Sequence, residues 1–200
     1  MATQIDSHGG ILAGTDSDVI AFNRDTYAYI WPRDGALATY ALALSGYPQP
    51  ARNFFAFVGP LIDPGGYFLH KYNPDGTLAS FWHPRYAEGQ NQLPIQEDST
   101  ALVIWALWQY FVLYREVEFI KPLYRPLIKR AADFMSQYLD PESGLPGPSY
   151  DLWEERRGIS AFTVGAVFGG LTAASLFCTI FGETDRARLY QAAAAEIRDA

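Results

Sequence analysis

The spacing of apolar and polar positions divides this chain into helices of two kinds. A first helix is predicted from Asp34 to near Gly46, with Ala36, Leu37, Tyr40, Ala41 and Leu44 on one face. A second follows from Pro50, a favoured first-turn residue, through Phe57. A third, Asp98 to Tyr114, is apolar nearly all round. The fourth, about Phe119 to Leu139, is amphipathic, with Leu123, Leu127, Ala131, Phe134 and Tyr138 three or four positions apart. The fifth, Ser160 to Phe181, has no charged residue, and the sixth, from near Thr184 through Ile197, is amphipathic again. Between the second and third lies an irregular region, about residues 62 to 97. Within it Tyr67 to Tyr72 and Thr77 to Trp82 flank the turn signal Asn73-Pro-Asp-Gly76, which suggests a small β-hairpin.

A helix that is apolar on every side must be enclosed, and an amphipathic one can cover it. Inner and outer helices in alternation describe an all-α fold, an α/α toroid in which each hairpin adds one inner and one outer element. The inner helices start near Asp34, Asp98 and Ser160, roughly 63 residues apart, as a stacked repeat would. The loops before these starts then share one end of the ring. A membrane span is the rival for residues 159 to 182, which are uncharged and contain Gly165-xxx-Gly169. Thr163, Thr172, Ser175, Thr179, four glycines and the absence of flanking basic asymmetry favour a buried inner helix, so no membrane partner is expected.

Composition narrows the classes of partner. Hydrophobic residues are 49 % and aromatics 16 % of the 200 residues, enough for a sizeable core and against disorder. The net charge of −7 comes without any basic cluster, which argues against nucleic acid and leaves neutral ligands such as sugars. One cysteine, Cys178, and three scattered histidines at 8, 70 and 83 offer neither an intrachain disulfide nor a metal cluster. No cofactor is expected. The first seven residues lack the basic and apolar parts of a secretory signal, so a cytoplasmic location is expected.

The run Tyr150-Asp-Leu-Trp-Glu-Glu-Arg-Arg157 carries the most chemistry. A tryptophan beside a carboxyl can desolvate it and raise its pKa, the condition for a general acid near neutral pH. Aromatic faces also suit sugar rings. The bland alternative pairs Glu154 or Glu155 with Arg156 or Arg157 on a solvated turn, which leaves Trp153 unexplained. Tyr27-Ala-Tyr-Ile-Trp-Pro-Arg-Asp34 admits two readings: a helix start with Asp34 at its N-terminus, or a clamp in which Arg33 and Asp34 grip vicinal hydroxyls beside Trp31. In Gln96-Glu-Asp-Ser-Thr100, Asp98 and Ser99 read first as capping residues. Trp82 reads as hairpin packing, and His70 and Lys71 stay open.

Taken in order, Tyr-x-Tyr-x-Trp-Pro-Arg-Asp, Gln-Glu-Asp-Ser-Thr-Ala-Leu and Tyr-Asp-Leu-Trp-Glu-Glu-Arg resemble glycoside hydrolase family 15, the family of glucoamylases, glucodextranases and some trehalases. The resemblance covers about Gly9 to Gly182. It implies an (α/α)6 barrel and an inverting mechanism with two glutamates. It makes Glu154 the general acid and Glu155 a substrate-contacting neighbour. Arg33 and Asp34 would hold hydroxyls of the non-reducing glucose, Tyr27 would lie near the reacting carbon, and Trp31 and Trp153 would line the pocket. The expected partner is an α-glucan or glucoside, and the expected reaction is release of glucose from non-reducing ends. Trehalase, glucodextranase and a non-catalytic sugar-binding relative are the alternatives.

Inversion needs a second carboxylate on the far side of the sugar. No motif for it is found, and three hairpins fill about half of a six-hairpin ring. Residues 1–200 are therefore expected to be the N-terminal half of a catalytic domain, inactive alone. Inner helices left uncovered at its edges would favour self-association.

Overall fold

The computed structural model describes residues 2–15, 27–80, 86, 87 and 89–200. Trp82 and His83, and with them the end of the predicted hairpin, lie outside the described residues. Helix α1 (Pro32–Leu44) starts where its sequence allows. Trp31 is extended, proline fills the first helical position, and Asp34 places a carboxylate in the first turn, where the helix dipole favours it. Helix α2 (Pro48–Val58) also begins on a proline. Helix α3 is Glu97–Tyr114. Its outer partner comes in three pieces: α4 (Val117–Leu123), a π-helical turn over Tyr124–Lys129, and α5 (Arg130–Met135). Helix α6 (Ala161–Ile180) is capped by the Ser160 hydroxyl, which accepts the Thr163 N–H at 3.2 Å. Helix α7 is Thr184–Asp199.

The predicted single fourth helix is thus broken, and its prolines are the reason. A proline nitrogen cannot donate to the carbonyl four residues back, and its ring crowds that carbonyl. Pro122 lies inside α4 and Pro126 inside the π turn, which widens the helix around the obstruction.

Helix α3 lies between α1 and α6, with α7 packed on α6 and α2 on α1. It is the enclosed member of the inner row: every residue from Glu97 to Ile104 is buried. Its own Tyr110 and, around it, Phe54, Phe55 and Phe177 are buried, each worth about 1.5–3 kcal/mol of apolar burial. The approach of α3 to α6 is close at Gly170, where a Cβ would stand 2.9 Å from the Ala101 carbonyl oxygen. Of the predicted Gly165-xxx-Gly169 pair, a Cβ at Gly169 would meet Trp105 at 3.4 Å, while one at Gly165 would meet nothing of the other described residues within 4 Å.

The two flanks of the row are open. On α1 the expected core stripe splits: Ala36 is buried, but Leu37 and Leu44 are 41 % and 56 % exposed, because α2 and α3 cover the other side of the helix. On α6, Phe162, Leu176 and Ile180 are similarly exposed along one face. That helix is long and apolar enough to cross a membrane by length and composition, and half of it is buried inside the fold.

Short pieces of sheet fix the loops at the end where α1, α3 and α6 begin. Tyr72 exchanges two backbone hydrogen bonds with Ile30, at 2.8 and 2.9 Å, and bridges Leu78 on its other side across the predicted Asn73–Gly76 turn. The paired strands are β1 (Tyr86–Ala87) with β2 (Gln90–Asn91), and β3 (Ser149–Tyr150) with β4 (Arg157–Gly158). The second pair makes Asp151–Arg156 the loop of a tight hairpin.

Candidate active site

The Asp151–Arg156 loop is organised by its first residue. The Asp151 carbonyl accepts the Glu154 N–H at 3.0 Å and the Gln96 side-chain amide at 2.6 Å. Its carboxylate accepts the N–H groups of Glu155 and Arg156 at 3.0 and 3.4 Å. The outcome is a backbone conformation rare outside glycine: Glu154 has φ +60°. A left-handed residue with a Cβ stores strain, and such residues collect at functional positions. Two further bonds tie the hairpin to the start of α3, from Tyr150 N–H to the Ile95 carbonyl at 3.0 Å and from Glu97 N–H to Ser149 Oγ at 3.3 Å.

The turn delivers the Glu154 carboxyl, 11 % exposed, between two rings from distant parts of the chain. Trp31 Nε1–H donates to Oε1 at 2.6 Å, and His70 Nε2 lies 2.9 Å from Oε2. The desolvating tryptophan expected from the sequence is Trp153, but that ring is 81 % exposed. The contact is made instead by Trp31, buried at the entrance to α1. A side chain next to Glu154 in sequence is turned away by the tight loop, whereas Trp31 reaches it from across the fold.

Arg33 and Asp34 follow in the first turn of α1. Arg33 is buried, with Nη2 3.1 Å from Asp34 Oδ2 and Nη1 3.4 Å from Asp98 Oδ1. The second contact corrects the capping expectation for Asp98: α3 begins on Gln96 without a side-chain cap, and the Asp98 carboxylate turns to Arg33 and to the Thr163 hydroxyl. Burial pushes the Asp98 carboxyl up, and the Arg33 guanidinium pulls it partly back. Held from behind by a buried carboxylate, Arg33 presents a half-exposed Asp34 to solvent.

Tyr27, Trp31, Arg33, Asp34, Trp153 and Glu154 line one cleft of about 460 Å³, with Ala13 and Leu152. Glu155 is exposed and is not among the lining residues. The Tyr27 ring stacks on Trp31 at 6.1 Å, and the buried Lys71 ammonium sits 4.3 Å from the centre of the Tyr29 ring and 5.5 Å from that of Trp31. Hollows of similar size on the outer helices, such as one of about 550 Å³ beside Arg125, Lys129 and Arg130, have no such buried carboxyl; there Lys129 pairs with Glu183 and Arg186 with Asp133. Among the described residues no three His, Cys, Asp or Glu side chains come together as metal ligands would.

Chemically, the cleft combines an aromatic floor, a charged pair able to grip adjacent hydroxyls, and one carboxyl with an indole donor on one oxygen and an imidazole nitrogen 2.9 Å from the other. Sequence reasoning missed His70, Gln96 and the orienting role of Asp98. The only signal for His70 was its place in the predicted hairpin stretch Tyr67 to Tyr72, and nothing local reveals that Tyr72 pairs with Ile30 and so sets His70 beside Trp31.

The family model described as "Glycosyl hydrolases family 15" matches residues 2–200. A Methanocaldococcus jannaschii protein described as an uncharacterized glycosyl hydrolase is 28 % identical over 184 residues, covering 92 % of this chain and 26 % of that protein. The glucoamylase from Saccharomycopsis fibuligera superposes with a TM-score of 0.72 at 18 % identity, over 95 % of this chain and 42 % of that one. A bacterial glucoamylase complexed with acarbose gives 0.66 at 22 % identity, over 86 % of this chain and 22 % of its own. The chain therefore spans about a quarter of the curated relative and less than half of either glucoamylase. Its three inner–outer helical pairs are those of the glucoamylase-type (α/α)6 toroid.

Proposed function

Because this chain belongs to glycoside hydrolase family 15, we propose that its cleft is the non-reducing-end subsite of an inverting, exo-acting α-glucosidase of the glucoamylase type, with Glu154 as general acid. The observation that carries the reading is the Glu154 carboxyl, held by Trp31 and His70 on the wall of a cleft that also contains Arg33 and Asp34. The acarbose bound by one structural neighbour supports a glucoside as substrate.

In the proposed reaction a terminal glucose lies on Tyr27, Trp31 and Trp153, with its hydroxyls on Arg33 and Asp34. The C1–O bond breaks, its electron pair goes to the leaving oxygen, and the Glu154 proton goes to the same atom. As the carboxylate forms, the Trp31 N–H becomes a charge-assisted donor to Oε1 and stabilises it. Water adds to C1 from the opposite face and gives its proton to a second carboxylate, about 6.5–9.5 Å from the acid in inverting enzymes. We assign that base to the rest of the ring, beyond the three helical pairs described above. The uncovered flanks of α1 and α6 are where the neighbouring pairs would pack. On this reading residues 1–200 supply the acid half of a catalytic domain and do not turn over substrate alone.

The test is the anomeric form of the first glucose released by the full-length protein, read by proton NMR on maltose, isomaltose, dextran and trehalose. β-Glucose from maltose supports the reading. Turnover of trehalose alone, or of dextran alone, moves the assignment to the trehalases or glucodextranases. Binding of glucosides without turnover makes the protein a sugar-binding relative.

A further inference from the structure

We propose that His70 is a positioning residue for the general acid, holding the second carboxyl oxygen of Glu154 in both of its protonation states; this rests on the assignment of Glu154 as the acid. Three features of the structure lead to it.

The first is geometry. His70 Nε2 is 2.9 Å from Glu154 Oε2, while Trp31 Nε1–H occupies Oε1 at 2.6 Å. The imidazole is 1 % exposed and stands edge-on to Trp31, with ring centres 6.3 Å apart. A core histidine would be the bland reading. This one faces the carboxyl of a residue with φ +60° on the wall of a cleft, which a packing role does not require.

The second is the chemistry of the two rings. An indole N–H can only donate, so Oε1 is always an acceptor, and the proton of the acid form belongs on Oε2. Oε2 faces an imidazole nitrogen that, as Nε2–H, donates to one lone pair of Oε2 and leaves the other for the acid proton. A general acid passes through both states in each turnover, and a fixed N–H donor holds Oε2 in each. The transfer itself balances without a change at His70: the Glu154 proton goes to the leaving oxygen, and Glu154 regains one from solvent afterwards.

The third is rigidity. Residues on both sides of His70 are tied down: Phe68 N–H to Thr100 Oγ1 at 2.9 Å, Leu69 N–H to the Tyr72 hydroxyl at 2.9 Å, and Tyr72 to Ile30 through two backbone bonds. The Tyr72 hydroxyl in turn donates to the Leu61 carbonyl at 3.2 Å. A ring placed this firmly limits the rotamers open to Glu154.

The experiment compares two substrates in the full-length protein. Maltose needs a proton on its leaving oxygen, and α-glucosyl fluoride does not. His70→Phe keeps a ring against Trp31 and deletes Nε2. Its kcat on maltose is expected to fall roughly 10- to 150-fold, the range of a lost hydrogen bond to a charged group, with KM unchanged. Its rate on the fluoride should stay within a few-fold of wild type. His70→Gln, whose amide can donate or accept, should recover most of the maltose rate. If His70→Phe fails to fold, His70→Asn serves, since its shorter amide cannot reach Oε2 and should show the same selective loss. Equal losses on both substrates, or none, overturn the proposal. A Glu154→Gln control that still cleaves maltose at the wild-type rate overturns instead the acid assignment on which it stands.

Discussion

Replacing Glu154 by glycine and, in parallel, by alanine tests whether the structure stores strain at the residue assigned the proton. Both variants delete the carboxyl and its contacts to Trp31 and His70, so those losses cancel in the comparison. What remains is a Cβ at φ +60°. At an ordinary position alanine is the more stable by about 0.5–1 kcal/mol, because glycine loses more backbone freedom on folding. In the left-handed region a Cβ costs about 1–2 kcal/mol. On central values the balance favours the glycine variant by about 0.75 kcal/mol, and by up to about 1.5 kcal/mol, a reversal of the usual order. The Asp151 bonds to Glu154, Glu155 and Arg156 keep the turn in place in both variants. Urea unfolding of the two proteins, compared at a common m value, reads the difference as a shift in midpoint. Both should be inactive on maltose. An alanine variant more stable by the ordinary margin would show that Glu154 is not held left-handed, and the strain argument would fail.

Other outcomes follow from the same geometry. Trp31→Phe keeps an aromatic floor but removes the donor to Oε1, and kcat on maltose should fall roughly 10- to 150-fold; an unchanged kcat would contradict the role of that bond. The Glu97 carboxyl is completely buried and has no hydrogen-bond partner among the described residues. Burial, with the neighbouring Asp98 charge adding to it, holds its pKa well above the ordinary 4.5. A raised carboxyl costs nothing below its unfolded-state pKa and progressively more as pH climbs toward its folded-state value. Glu97→Gln should therefore be more stable than wild type at neutral pH, with the gain closing below about pH 4.5; a gain independent of pH would contradict the buried ionisation. Residues 1–200 expressed alone should self-associate through the open flanks at Leu37, Leu44, Phe162, Leu176 and Ile180. A single monomeric species in sedimentation velocity would contradict this.

The helices were legible because burial imposes its period on the sequence. Helix α3 reads as enclosed and proves so, and α6 starts beside Ser160, within a residue of where the spacing puts it. Periodicity failed at the fourth helix, where apolar spacing continues smoothly through Pro122 and Pro126 although the backbone cannot. It also misjudged α1, since a stripe of leucines does not say which neighbours are there to cover it. Six of the seven site residues read from the motifs share one cleft, because each motif lies just before or at the start of an inner helix, at one end of the row. The residues that orient them were not legible. Asp98 looks like any helix cap until Arg33 is seen beside it, and His70 meets Glu154 only through the Tyr72–Ile30 pairing.

The central claim is that Glu154 gives its proton to the leaving oxygen. Glu154→Gln in the full-length protein keeps the side chain's size and its acceptor toward Trp31 while removing the proton. Glucose release from maltose, measured with glucoside binding by calorimetry, should fall by about 10²–10⁴-fold or more, with affinity retained within a few-fold. Turnover near the wild-type rate would contradict the account at its root.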